Sequence, residues 1–137
     1  MSHDFHMTIL YADDDAEDRE IFFEAIQEIN PVIKVLLSKD GQDALEILGV
    51  LKQTPDFIFL DINMPRVNGM ECLIKLKSDD RLKNVPVIIH STTVDSREEK
   101  KLISLGADEF ISKPNSFEEL KGSLYKVLMK KYSVSDQ

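Results

Sequence analysis

Phe57-Ile58-Phe59-Leu60 is a run of four large apolar residues flanked by Pro55-Asp56 and Asp61. A strand solvated on one face alternates apolar with polar residues, whereas this run has no polar side to turn outward. It therefore predicts a central strand buried on both faces, the environment of a parallel sheet covered by helices on each side. Few folds supply that environment, and each requires helices in the segments around the run.

Strand-like and helix-like segments alternate along the chain. Residues 8–12 are short, apolar and β-prone. Ile21, Phe22, Ala25, Ile26 and Ile29 then recur at helical spacing and predict a helix over 16–29, ended by Asn30-Pro31. Val32–Ser38 reads as a second strand. After the Asp40-Gly41 turn, Ala44, Leu45, Leu48 and Leu51 form a second helical stripe that Thr54-Pro55 stops. The 57–60 strand is followed by a loop and a helix over 69–78. Asn84–Ile89 is read as the fourth strand, 95–105 as the fourth helix closed by Gly106, and Glu109–Ser112 as the fifth strand. Ser116 opens the last helix with a Ser-x-x-Glu capping-box pattern, and Phe117, Leu120, Leu124, Val127 and Leu128 are its stripe. Phe22, Phe23, Phe57, Phe59 and Phe117 are expected in the core, and Lys75, Lys77, Arg81 and Lys83 on an exposed helix and loop. Five strands each followed by a helix imply an α/β, doubly wound parallel sheet, (βα)5. Right-handed crossovers leave few topologies for it.

The totals narrow the function. The 137 residues carry 17 basic and 25 acidic side chains, a formal charge of −8, so most of the surface would repel a phosphate backbone, and direct nucleic-acid binding is not expected. Cys72 is the lone cysteine, so no internal disulfide forms; a reducing, cytoplasmic setting fits. No segment has the length of apolar sequence that a membrane span needs. Residues 1–7, with His3 and His6, read as a polar, flexible leader without a signal-peptide pattern, and 132–137 as a frayed tail; 8–131 is the one domain.

Open sheets of this kind place their sites at the carboxyl ends of the strands. Those ends are Asp13-Asp14-Asp15, Asp61 with Asn63 two residues on, Ser91-Thr92 and Lys113-Pro114, with Lys39 and Asp40 to one side. Asp15 suits the N-cap of the first helix, accepting from the Asp18 amide, and Glu17 and Asp18 suit its first turn, where the helix dipole favours anions. Asp13 and Asp14 do not need that explanation. Carboxylates about 5 Å apart repel by roughly 3 kcal/mol at an effective dielectric of about 20. A hard cation bound by oxygens, most simply Mg²⁺, relieves that repulsion at Asp13, Asp14 and Asp61. An EF-hand reading of Asp13 to Glu24 fails because Asp18 stands where that loop needs glycine. A dinucleotide fold would have a glycine-rich turn where these acids sit.

With these parts in order, the stretches "ILYADDD", "DFIFLDINMPRVNG", "VPVIIHSTT" and "GADEFISKP" resemble the receiver domain of two-component response regulators, the CheY-like fold, over roughly residues 8–130. The resemblance implies a flavodoxin-like strand order 2-1-3-4-5, which the handedness rule alone does not select. It implies Asp61 as phosphoacceptor, Asp14 as a direct Mg²⁺ ligand with Asp13 acting through water, and the Asn63 carbonyl as the third protein ligand. It also implies Lys113 paired with the phosphoryl group ahead of a cis Lys113-Pro114 bond, Ser91 donating to a phosphoryl oxygen, and Phe110 at the aromatic switch position. Ser91 stands where threonine is commoner, Phe110 where tyrosine is, and Thr92 where a smaller residue is usual. Asn63 and Thr93 fall at positions that tune dephosphorylation. The implied partners are a sensor histidine kinase or phosphotransfer protein as donor and a downstream protein target, with no membrane. A homodimer through the fourth helix, fifth strand and fifth helix stays open. Two other readings are kept beside this one: a pseudo-receiver that binds without phosphorylation, and a Mg²⁺-dependent phosphohydrolase with an aspartate nucleophile. The latter usually has a second Asp where Asn63 stands. His90 is expected to pack or cap, and Phe110 is as well explained by the core as by a switch.

Overall fold

The computed structural model describes residues 7–92 and 95–135, the side chains of 131–135 excepted. Strands β1 (Thr8–Ala12), β2 (Lys34–Ser38), β3 (Phe57–Leu60), β4 (Val87–Ser91) and β5 (Glu109–Ser112) alternate with helices α1 (Ala16–Ile29), α2 (Gly41–Val50), α3 (Gly69–Lys77), α4 (Ser96–Ser104) and α5 (Phe117–Ser135). All strand pairs are parallel and the order is β2-β1-β3-β4-β5. This is the doubly wound sheet that the apolar run demands, in the order implied by the resemblance.

Strand periodicity divides the run between two cores. Ile58 and Leu60 join Leu10, Ile89 and the buried faces of α2, α3 and α4. Phe57 and Phe59 join Ile9, Tyr11, Ile88 and the buried faces of α1 and α5. Both faces of β3 are thus covered, and all four residues are buried. No helix among the described residues is long and apolar enough to cross a membrane.

Several boundaries differ from expectation. β4 begins at Val87, not Asn84, because Val85 is held in a turn on Leu82 and Pro86 has no N–H to give the ladder. β2 begins at Lys34, since Asn30 holds Val32 and Ile33 in a turn and leaves Val32 exposed. Met7, assigned to the leader, is buried, and its carbonyl accepts from the Lys34 amide; His3 and His6 lie outside the described residues. α5 runs on to Ser135, beyond the expected start of the tail.

Phe23 is not in the core. It is 39% exposed, because Phe22, Ala25 and Ile26 take the inward face of α1. Phe117 is half-buried against the α1–α5 side. Lys77 is not a solvated helix residue either: its ammonium donates to the carbonyls of Lys83 and Val85 and pairs with Asp108. Arg81 likewise donates to the carbonyls of Leu48 and Leu51. Among the described residues there is no cis peptide bond, so Lys113-Pro114 is trans, the lower-energy isomer. In that form Lys113 still reaches Asp13, just past β1, and Asp18 of α1.

Candidate functional site

Backbone ladders carry two acids to the carboxyl edge of the sheet. The Asp13 amide donates to Ser38 O at 3.1 Å and the Asp61 amide to Ala12 O at 2.9 Å, so the pairing of β1 continues one residue past each strand. Asp13 is fully buried and Asp61 is 5% exposed, while Asp14 faces solvent. Carboxylate oxygens of Asp13, Asp14 and Asp61 all lie within 4.8 Å of one another. Lys113 is aligned from the other side, its amide donating to Ser91 O at 2.8 Å. Its ammonium is 2.8 Å from Asp13 Oδ2, 2.9 Å from Asp18 Oδ2 and 3.6 Å from Asp61 Oδ2.

The electrostatics differ between the two buried acids. Burial pushes the Asp13 carboxyl up, but hydrogen bonds from Lys113, the Tyr11 hydroxyl and the Asp15 amide outweigh it and hold the group below the usual carboxylate range. Asp61 is pushed up to about 6, by burial first and then by the Asp13 charge, which Lys113 and the Asn63 amide only partly offset. Lys113 is held above the ordinary lysine range, since its bonds to Asp13 and Asp18 outweigh burial. Of the two buried acids it is therefore Asp61 whose charged form is disfavoured, by burial and by its neighbour Asp13. Three carboxylate oxygens within 4.8 Å of one another are hard donors and suit Mg²⁺ rather than a soft metal.

The loop after β3 is fixed closely. A Cβ on Gly69 would lie 2.4 Å from Asp61 O and 2.7 Å from Ile62 Cα, so only glycine lets α3 start against the strand end. Asn68 opens α3 with a full capping box, its side chain meeting the Glu71 amide and the Glu71 side chain returning to the Asn68 amide. Arg66 takes a left-handed backbone (φ +66°), and its guanidinium grips Asp40 with bonds of 3.1 and 3.0 Å. Asp40 also caps α2. It therefore stands beside the loop and outside the acid cluster.

The structure thus brings together Asp13, Asp14, Asp61 and Lys113. Ser91 is buried at the end of β4, opposite Ser112 of β5, and Thr92 after it is exposed. Thr93 lies outside the described residues. Asn63 is exposed, with its amide toward Asp61. Phe110 is half-buried against the α2–α4 side of the sheet. Asp15 caps α1, accepting from the Glu17 and Asp18 amides.

Two features escaped the sequence reading. Asp18 is more than a helix-dipole anion, since it shares Lys113 with Asp13. The signal was present: helical side chains lean toward the N-terminus, so a first-turn carboxylate reaches back over the end of β1. The second is a buried relay. Tyr11 donates to Asp13 Oδ2 at 2.5 Å, and its oxygen lies 3.0 Å from His90 Nδ1. With its one proton given to Asp13, the phenol must accept from His90, which fixes the Nδ1–H tautomer. Burial, then Lys113, push His90 down to about 4, so the ring is neutral. Tyr11 and Asp13 share a strand face by their spacing of two, but only the fold brings His90 to them.

Comparison with known proteins bears on this geometry. The family model for the response regulator receiver domain matches residues 9–125. Hybrid signal transduction histidine kinase D of Dictyostelium discoideum is 35% identical over 101 residues, 68% of this chain and 6% of the kinase. Polar-differentiation response regulator DivK of Brucella anthropi is 28% identical over 109 residues, 80% of this chain and 85% of DivK. The crystal structure of the phosphorylated cyanobacterial phytochrome response regulator RcpA superposes with a TM-score of 0.82 at 26% identity, covering 90% of this chain and 91% of RcpA. The chain spans less than a third of the length of several other curated relatives that it matches.

Proposed function

The chain belongs to the response regulator receiver domain family of two-component systems, and we propose on that premise that Asp61 accepts a phosphoryl group from a phosphohistidine donor. The donor is a sensor histidine kinase or phosphotransfer protein. The observation that carries this reading is the convergence of Lys113 with Asp13 and Asp61 at 2.8 and 3.6 Å beside the three-carboxylate cluster. That a relative of similar fold is described as phosphorylated supports it.

In the proposed reaction an ionised Asp61 oxygen attacks phosphorus in line. The new P–O bond forms as the P–N bond to the donor histidine breaks, and its electron pair returns to the imidazole. No general base is required because the nucleophile is already a carboxylate. Asp14, Asp61 and the Asn63 carbonyl would hold Mg²⁺ directly, with Asp13 acting through metal-bound water, and the bound ion would neutralise charge on the phosphoryl oxygens. The protein supplies the rest. Buried Asp13 orients Lys113, the Lys113 ammonium meets the phosphoryl group, and Gly69 lets the start of α3 pack directly against the Asp61 carbonyl. Ser91 donates to a phosphoryl oxygen, and Phe110, half-buried beside β4, turns inward as that hydroxyl moves. The altered α4, β5 and α5 surface then meets a protein target. The domain therefore signals and catalyses only its own modification.

The test is incubation with acetyl phosphate or phosphoramidate and Mg²⁺, read by intact mass. Wild type should gain one phosphoryl group and Asp61→Asn none. If wild type stays unlabelled, a binding-only pseudo-receiver replaces the phosphoacceptor reading; if Asp61→Asn labels equally, the assignment of the acceptor to Asp61 is lost.

A further inference from the structure

We propose that Asp18 is a competing counterion for Lys113: it holds the ammonium against Asp13, and so sets how readily Lys113 serves a phosphoryl group on Asp61. This rests on the phosphoacceptor reading above.

An ammonium has three donors. In the structure two of them meet Asp13 Oδ2 at 2.8 Å and Asp18 Oδ2 at 2.9 Å, while Asp61 Oδ2, at 3.6 Å, lies beyond hydrogen-bond reach. Lys113 is thus engaged by acids other than the proposed acceptor. The two holders are not equivalent. Asp13 is fully buried and fixed by the Tyr11 hydroxyl, the Asp15 amide and an Arg19 bond to its carbonyl. The Asp18 side chain is 33% exposed and comes from the first turn of α1, 95 residues away in sequence. It is the holder that can let go.

A phosphoryl group carries close to two negative charges and three acceptor oxygens, so it recruits more than one donor from a neighbouring cation. Every donor that Lys113 gives to Asp18 is withheld from that group. There is also room for the exchange. A cavity of about 170 Å³ is bordered by Asp18, Lys113, Ile21, His90 and Phe117. The Asp18 side chain thus borders open space into which it can swing away from Lys113. Asp18 is in this sense a positioning residue that acts through Lys113.

The probe is beryllofluoride, a non-covalent phosphoryl mimic, titrated with Mg²⁺ onto the full chain. Asp18→Asn keeps the shape and removes the charge, and Asp18→Glu restores the charge. Asp18→Asn should bind beryllofluoride about two- to fivefold more tightly, the scale of one partly exposed ion pair, and label faster with phosphoramidate. Asp18→Glu should return toward wild type. Urea midpoints measured on the same samples separate this from a stability effect, because a merely structural role would shift the midpoint and leave mimic affinity unchanged. Equal or weaker binding by Asp18→Asn overturns the competition. Failure of wild type itself to bind the mimic overturns instead the phosphoacceptor reading on which it rests.

Discussion

Asp61 is a liability to the fold until a cation or a proton neutralises it, and Asp61→Asn should stabilise the metal-free protein. The Asp61 carboxyl is raised from its ordinary 3.8 to about 6. Each unit is worth about 1.4 kcal/mol, so keeping the group ionised near pH 7 costs the native state about 3 kcal/mol. A folded-state pKa above the unfolded one gives a stabilising contribution that is complete below about pH 4 and lost as pH rises through about 6. The neutral amide escapes that loss but is itself buried, which leaves a net gain of about 2 kcal/mol. In urea this should raise the midpoint by roughly 1 M. Far-UV circular dichroism is the suitable signal, since the chain has no tryptophan. The titrations are run with a chelator at pH 7, again at pH 4, and again at pH 7 with excess Mg²⁺. The variant should lead at pH 7, the gap should close at pH 4, and Mg²⁺ should narrow it by stabilising wild type more. A variant no more stable than wild type at pH 7 with chelator, or a gap independent of pH, would refute the electrostatic account of the cluster.

Three further outcomes follow from the same geometry. Asp14→Ala should abolish Mg²⁺ binding measured by calorimetry, while Asp15→Ala should retain it and lose about 1 kcal/mol of stability with the α1 cap. In NMR titrations the His90 ring should stay in the Nδ1–H form and protonate near pH 4; because this group is depressed, its stabilising contribution is present above about pH 6.5 and lost as pH falls through about 4, and a midpoint near 6.5 would contradict the buried relay. Gly69→Ala should destabilise by about 1–3 kcal/mol and slow labelling of Asp61, because the new methyl meets the Asp61 carbonyl; Gly49→Ala, where nothing lies within 4 Å, is the control and should be neutral or stabilising.

Much of the architecture was legible because it rests on local pattern. The 57–60 strand, the 16–29 helix and the Asp15 cap can each be read from a few consecutive residues. The starts of β2 and β4 were misread because Val32 and Val85 look like strand residues. The turns on Asn30 and Leu82 decided otherwise. Phe23 was misread because hydrophobicity does not say which side of a helix faces the core when apolar residues occupy both. Lys77 was misread because its acceptors, Lys83 O and Val85 O, belong to a loop whose path is not a local property.

The acid site divides in the same way. The sequence by itself determined that Asp13, Asp14, Asp61, Ser91 and Lys113 stand at strand ends, since each lies at or just past the end of a short β-prone segment, and that parallel strands bring those ends to one edge. It also settled the N-capping role of Asp15, a matter of one helical turn. Only the tertiary structure decided how charge is shared: that Lys113 lies between Asp13 and Asp18, that Tyr11 joins His90 to Asp13, and that burial and the Asp13 charge raise Asp61. The physical reason is range. Capping and periodicity act over a few residues, whereas burial and charge pairing depend on groups that the chain separates by as many as 95 positions and only the packed sheet brings within 3 Å.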